Sequence, residues 1–195
     1  MTSPEAPQPL TGPLGSPAVI LVTGIQAAGK STVAQLLAER LPQSVHVRGD
    51  LFRRMIINGR ADMTPDPSSE AVRQLRLRYQ LAATVSDAYF QAGFSVIMQD
   101  VILGSHLADM TVMIRSRPLL VIVLAPQVSA IADREKNRGE TAYGTWAIRQ
   151  LDDVLRHETP RLGLWLDTSS QTAAETADEI FSRAWTEARI PGQVT

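Results

Sequence analysis

Apolar residues along the chain fall into two alternating patterns. Short unbroken runs rich in β-branched residues mark strands buried on both faces: Ala18 to Thr23, Phe94 to Asp100 and Pro118 to Leu124. Two shorter pieces, Ser44 to Arg48 and Leu164 to Asp167, read the same way. Between them apolar positions recur at helical spacing. Thr32 to Leu41 is one such stretch, stopped by Pro42. A second begins near Asp50 and runs from Leu51 to about Arg60. Glu70 to Gln91 is a long third, with Val72, Leu75, Tyr79, Ala82, Ala83 and Ala88 at helical spacing and Gly93 beyond its end. Pro65 and Pro67 put Ala61 to Ser69 in a loop. Further helices are predicted from Gly104 to Arg117, from Pro126 through Arg134 and Arg138, up to about Glu158, and from Thr172 to Arg189. Five short strands alternating with helices predict an α/β fold, its parallel sheet covered on both faces. Ligands of such sheets bind beyond the carboxyl ends of the strands. The first three strands end at a glycine-rich loop, at Asp50 and at Asp100, so all three face one cleft.

The glycine-rich loop carries the sharpest motif. Gly24-Ile25-Gln26-Ala27-Ala28-Gly29-Lys30-Ser31 fits G-x-x-x-x-G-K-[ST], and it stands between a predicted strand and a predicted helix, the context a P-loop requires. The pattern has a physical reason. Glycines let successive N–H groups of Gln26, Ala27, Ala28, Gly29, Lys30, Ser31 and Thr32 close around phosphate oxygens at the positive end of the helix. Lys30 then reaches the β- and γ-phosphates, and the Ser31 hydroxyl completes a Mg²⁺ shell. The motif predicts a P-loop NTPase fold that binds nucleotide.

Composition narrows this without redirecting it. Hydrophobic content of 44%, 20% charged residues and a net charge of −1 describe an ordinary globular chain with no basic excess, so nucleic acid is not an expected partner. With no cysteine, disulfides, thiolate metal sites and a cysteine nucleophile are excluded. Apolar runs are too short for a membrane span. Residues 1–17 carry Pro4, Pro7, Pro9, Pro13 and Pro17 among Ser, Thr and Gly, and are expected to be a disordered leader with no signal-peptide pattern. Residues 18–190 are expected to form a single kinase domain, and the protein to be cytoplasmic.

Phosphoryl transfer needs positioning, charge neutralisation and an acceptor for a proton. Asp50, just past a strand end, is the candidate base; as an Asp at a helix start it is also a natural N-cap. Asp100 stands where an acidic residue holds Mg²⁺ directly or through water, or serves as the base or orients it. Arg134 and Arg138 share a helix face beside the segment Gly139 to Gly144, as in a mobile lid that stabilises charge on the transferred group. Arg48 and Arg53 flank Asp50 as candidates for contact with an anionic or polar substrate. Arg73, Arg76 and Arg78 could line a substrate site but read mainly as a surface stripe. His46 reads as structural, His106 as within reach of the cleft, and His157 as paired with a helix end. Trp146, Trp165 and Trp185 read as core.

With these residues placed, the chain from about Ala18 to Ile180 resembles the small P-loop kinases of the chloramphenicol phosphotransferase-like and zeta-toxin-like group. The resemblance is carried by Gly49-Asp50-Leu51, by Gln99-Asp100-Val101-Ile102-Leu103-Gly104, by Arg134-Glu135 to Arg138-Gly139, and by Leu166-Asp167-Thr168-Ser169. Tunicamycin-resistance P-loop proteins are similar in size and plan. The resemblance implies a nucleoside-kinase-like fold with a helical lid, Asp50 as base, and adenine held between the lid helix and the loop after the last strand, near Arg134, Thr168 and Ser169. It departs at Gln99, where that family has a second acidic residue. ATP is expected over GTP, because no Asn/Thr-Lys-x-Asp segment exists and Lys136 is followed by Asn137-Arg138. The expected function is Mg²⁺-dependent transfer of the γ-phosphoryl group of ATP to a hydroxyl of a small molecule such as an antibiotic. The alternatives are a metabolic kinase for a nucleoside, sugar acid or nucleotide sugar, and an ATP-hydrolysing switch that binds a protein partner.

Overall fold

The computed structural model describes residues 17–138 and 145–191, without the side chains of 133, 135–138 and 145–147. Its sheet has five parallel strands: β1 (Val19–Gly24), β2 (Ser44–Arg48), β3 (Ser95–Gln99), β4 (Leu119–Leu124) and β5 (Leu164–Leu166), in the order β2-β3-β1-β4-β5. The unbroken apolar runs are explained by their surroundings. Val19 and Leu21 of β1, with Leu119, Val121 and Val123 of β4, enter one core layer, while Ile20, Val22, Leu120, Ile122 and Leu124 enter the other. Alternation is absent because both faces are dry.

Helices α1 (Lys30–Glu39) and α7 (Ala173–Glu187) cover one face, and α3 (Ser69–Gln91) with α4 (His106–Met113) and the end of α6 (Thr145–Asp153) cover the other. The short α2 (Gly49–Arg54) packs on α3, and α5 (Val128–Arg138) follows β4. A π-helical turn, Val154–Glu158, extends α6. Two helices start on side-chain caps. Ser68 accepts from the Ala71 N–H, and Thr172 forms a reciprocal capping box with Glu175.

The architecture expected from the sequence is present, with three helices shorter than expected. The stretch Leu51 to Arg60 stops being helical at Arg54, because Gln74 of α3 donates to the Gly59 carbonyl and accepts from the Ala61 N–H, holding that segment as a loop. The stretch Gly104 to Arg117 is helical only over His106–Met113. The Asp87 carboxylate of α3 takes the N–H groups of Arg115 and Ser116, and Arg117 donates back to the Thr111 and Ile114 carbonyls. The last helix ends at Glu187, and Arg189 instead bridges to Leu120. Both long-range clasps lie beyond the reach of local periodicity.

Residues 1–16 of the expected leader 1–17, and the segment Gly139 to Gly144, lie outside the described residues.

Candidate active site

β1 delivers the chain to Gly24, whose φ of 146° is open to glycine and not to other residues. A Cβ there would stand 2.3 Å from the Leu124 carbonyl oxygen, so β4 also requires the bare backbone. Ile25 and Ala28 are buried and pin the loop from inside, while Ala27 adopts a left-handed φ of 57°. α1 then starts at Lys30 with no side-chain cap and no acidic residue in its first turn. Its leading N–H groups and dipole are therefore left for an anion. Ser31 and Thr32 are exposed at this rim, and Gln26 is half-buried beside it.

Lys30 does not project into solvent. It is 8% exposed, and its Nζ donates to the Ile25 carbonyl at 2.7 Å, folding the side chain back over its own loop. Burial, then the positive charge of Arg78, push its pKa down to about 7, while the Asp50 carboxylate opposes the shift. The loop thus holds its cation at a cost in solvation that a polyphosphate would relieve.

Asp50 lies in the first turn of α2, but the N-cap position is Arg48, so the carboxylate is not a helix cap. Its Oδ2 is 3.4 Å from Arg48 Nη2 and 3.2 Å from Arg54 Nη2, and its Oδ1 is buried with no hydrogen-bond partner among the described residues. Arg53 pairs with Asp62, which Arg60 also approaches at 3.8 Å. Apolar side chains stand exposed on the same lobe: Leu51, Met55, Ile57 and Met63.

Asp100 was expected to hold Mg²⁺ or to act as the base. In the structure its carboxylate, 1% exposed, is fully engaged within the protein. Arg78 grips it through two N–H groups, Nε to Oδ2 at 2.6 Å and Nη2 to Oδ1, and the Val101 N–H adds 2.7 Å to Oδ1. Gly49 lies directly against it; a Cβ on Gly49 would come within 2.0 Å of Oδ2. Gln99, in place of a second carboxylate, is buried in β3. Among the described residues no three His, Asp or Glu side chains gather as a metal cluster. The donors that fit Mg²⁺ are the exposed Ser31 hydroxyl and the oxygens of a bound nucleotide.

Arg78 departs from the surface stripe expected of it: its side chain turns inward to Asp100. Arg73 and Arg76 are exposed on α3 as expected, Arg73 pairing with Glu70. At 100° per residue, Arg78 lies roughly 200° around the helix from Arg76. It falls seven residues after Ala71 and four before Ala82, both buried. That spacing was a legible sign of an inward-facing arginine. The next residue, Tyr79, is buried and donates from its hydroxyl to the Val101 carbonyl at 2.7 Å, its pKa pushed up to about 12 by burial.

The opposite end of the cleft is built from the loops after β4 and β5. Arg134 of α5 donates to the Thr168 carbonyl at 2.5 Å and to that of Gln171 at 3.4 Å. Thr168 is buried and its Oγ1 lacks a partner among the described residues. The Ser169 hydroxyl accepts the Gln127 N–H at 2.7 Å and donates to Asp167, holding that carboxylate below its usual range. Arg156, on the π-helical turn, pairs with Asp152 at 2.8 Å and donates to the Pro126 carbonyl at 3.1 Å. Arg138 is the last residue of α5, and its side chain lies outside the described residues, as does that of Trp146.

The histidines stand apart from the phosphate loop. His46 contacts Gln35 through Nδ1 at 2.9 Å, and burial lowers its pKa. His106 packs edge-on against Tyr79 at 5.6 Å, and His157 pairs with Asp153 on the surface. Trp165 and Trp185 pack against the two cores.

The family model described as chloramphenicol phosphotransferase-like protein matches residues 17–185. The chain belongs to the chloramphenicol phosphotransferase-like family. Membership indicates a P-loop, kinase-like phosphotransferase, and it covers both the glycine loop and the Arg134 helix. The chain is also similar to a UPF0200 protein of Aeropyrum pernix, 27% identical over 140 residues, which span 70% of this chain and 74% of that protein. Among solved structures it resembles the tunicamycin resistance protein of Deinococcus radiodurans, with a TM-score of 0.64 and 16% identity over 90% of this chain and 99% of that one. The APS kinase of Mycobacterium tuberculosis, solved with AMPPNP and APS, superposes with a TM-score of 0.62 at 16% identity, covering 86% and 96% respectively. At such identities these two likenesses speak for the fold. No helix among the described residues is long and apolar enough to cross a membrane.

Proposed function

We propose that this protein transfers the γ-phosphoryl group of ATP to a hydroxyl of a small molecule. The observation that carries the reading is the Asp50 carboxylate beyond the end of β2, one oxygen without a hydrogen-bond partner among the described residues, near enough to Lys30 beyond β1 for their charges to interact, with only β3 between the two strands. The acceptor hydroxyl is placed at Asp50 Oδ1, within hydrogen-bond reach. Its oxygen forms a bond to the γ-phosphorus as the bridging oxygen leaves with ADP, and the hydroxyl proton passes to Asp50. Lys30, released from the Ile25 carbonyl, neutralises the growing charge, with Arg134 and Arg138 brought in by α5. Ser31 would hold magnesium together with the nucleotide, and the ion would supply further charge neutralisation. Gly24 and the N–H groups of Gln26 to Thr32 hold the phosphates, and Arg134, Thr168 and Ser169 hold the adenine.

The acceptor lobe supports an amphipathic substrate. Arg48, Arg53 and Arg54 crowd Asp50 on one side, and Leu51, Met55, Ile57 and Met63 offer apolar contact on the other. A hydroxyl-bearing antibiotic fits that mixture and agrees with the family. The test is a panel of chloramphenicol, tunicamycin, aminoglycosides, macrolides, nucleosides and sugar acids incubated with MgATP, each product weighed for an added phosphate. A product that Asp50→Asn abolishes is the expected result. Slow ATP hydrolysis stimulated by a protein partner and indifferent to Asp50→Asn would favour a nucleotide switch instead.

A further inference from the structure

The pair made by Arg78 and Asp100 is placed where a merely structural ion pair would gain little. Burying two charges costs solvation that their attraction only roughly offsets, yet this pair is at the carboxyl edge of the sheet, between the phosphate loop and the Asp50 loop. Three features single it out. Both Asp100 oxygens are taken by Arg78 Nε and Nη2, and this fixes the guanidinium plane. The remaining nitrogen, Nη1, makes no hydrogen bond among the described residues, and the side chain keeps 16% exposure. Arg78 is also close enough to Lys30, Asp50 and Arg53 for their charges to act on one another. Its surroundings hold it still from below. Tyr79 ties α3 to Val101 just after Asp100, and Gly49 leaves no room for the carboxylate to swing.

We infer that Arg78, anchored by Asp100, is a further cation of the phosphoryl-transfer centre, fixed in place, its free Nη1 directed at the γ-phosphoryl oxygens. This rests on the phosphotransferase reading and adds a residue to it. Asp100 is then a positioning residue. It holds the guanidinium at one angle, so that no reorganisation is needed when charge develops on the transferred group. Arginine suits the task because its fork can grip a carboxylate with one edge and present the other.

The test uses ligands that differ by the γ-phosphate and needs no acceptor. Affinities for MgADP and for Mg-AMPPNP are measured by calorimetry on the full chain, for wild type, Arg78→Gln, Arg78→Lys and the double variant Arg78→Gln/Asp100→Asn, which leaves no unpaired buried charge. In both Gln-bearing variants Mg-AMPPNP affinity falls about tenfold to a hundredfold, the worth of one charged hydrogen bond. MgADP affinity stays within about twofold, and Arg78→Lys recovers part of the loss. An unchanged ratio of the two affinities in a folded double variant overturns the inference, since a structural pair would move only thermal stability. Wild-type protein that binds neither nucleotide would overturn it together with the phosphotransferase reading. Retained discrimination in the variants alongside normal phosphoryl transfer would remove Arg78 only.

Discussion

The lysine of the glycine loop is held under strain of solvation, and this makes its contribution visible in stability. Its pKa falls from 10.5 to about 7 on folding. Between those values the unfolded chain binds more protons than the folded one, so stability rises with pH from about 7 toward 10.5 on account of this group. Below about 7 both states are charged and the cost is present in full. Lys30→Met is therefore expected to melt a few degrees higher than wild type at pH 6 to 7, with a gap that narrows as pH is raised toward 10. Melting curves across that range check it, and a gap independent of pH would show that burial does not tax the ammonium. The same substitution should abolish tight nucleotide binding. At Asp50 the expectation is the opposite: Asp50→Asn should cut acceptor-dependent kcat by about 10² to 10⁴. The melting temperature should change little, because the ion pairs of Asp50 with Arg48 and Arg54 are long, at 3.4 and 3.2 Å, and both arginine side chains reach solvent.

At the scale of elements, α3 joins most of the acceptor side to the sheet. Gln74 fixes the loop after α2, Arg78 grips the end of β3, Tyr79 reaches Val101, and Asp87 caps the chain leaving α4. Gly49 is the matching weak point. Gly49→Ala would push a methyl group against the Asp100 carboxylate, which Arg78 and Val101 prevent from moving. A loss of about 1–3 kcal/mol in denaturant unfolding is expected, of the size seen for overpacking, with a larger fractional loss of activity because the displaced backbone carries Asp50. A variant as stable and active as wild type would show that this contact is slack.

How much of this was legible differs by element. The strands were, because runs such as Leu119 to Leu124 are apolar on both faces and only a sheet interior accommodates that. The glycine loop was, because its spacing is set by phosphate geometry. The ends of α2 and α4 were not: Gln74 and Asp87, fifteen residues or more away in sequence, decide them. The site was legible in part for the same reason. Asp50 and Asp100 announced themselves at strand ends, but the partner that claims Asp100 comes from a helix twenty-two residues earlier. Arg78 shares α3 with the exposed Arg73 and Arg76, and only its angle on the helix sets it apart.

For the whole molecule, the sheet order places β1 between β3 and β4, so the glycine loop opens at the centre of the carboxyl edge. The Asp50 loop lies on one flank and the Thr168 loop on the other. The proposed function therefore puts acceptor and adenine at opposite ends of the carboxyl edge, with the γ-phosphate between Lys30, Arg78 and Asp50, and in that proposal the Arg134 clasp on the Thr168 loop stands at the adenine end. Arg134→Ala is expected to raise the KM for ATP more than it changes the KM for the acceptor, and steady-state kinetics with each substrate varied in turn would separate the two.

The most direct measurement is acceptor-dependent phosphoryl transfer from MgATP, read by product mass and repeated with Asp50→Asn. The account predicts a hydroxyl compound that gains one phosphate with wild-type protein, and loss of that product in the variant while nucleotide binding persists. A phosphorylated product formed equally well by Asp50→Asn would contradict it.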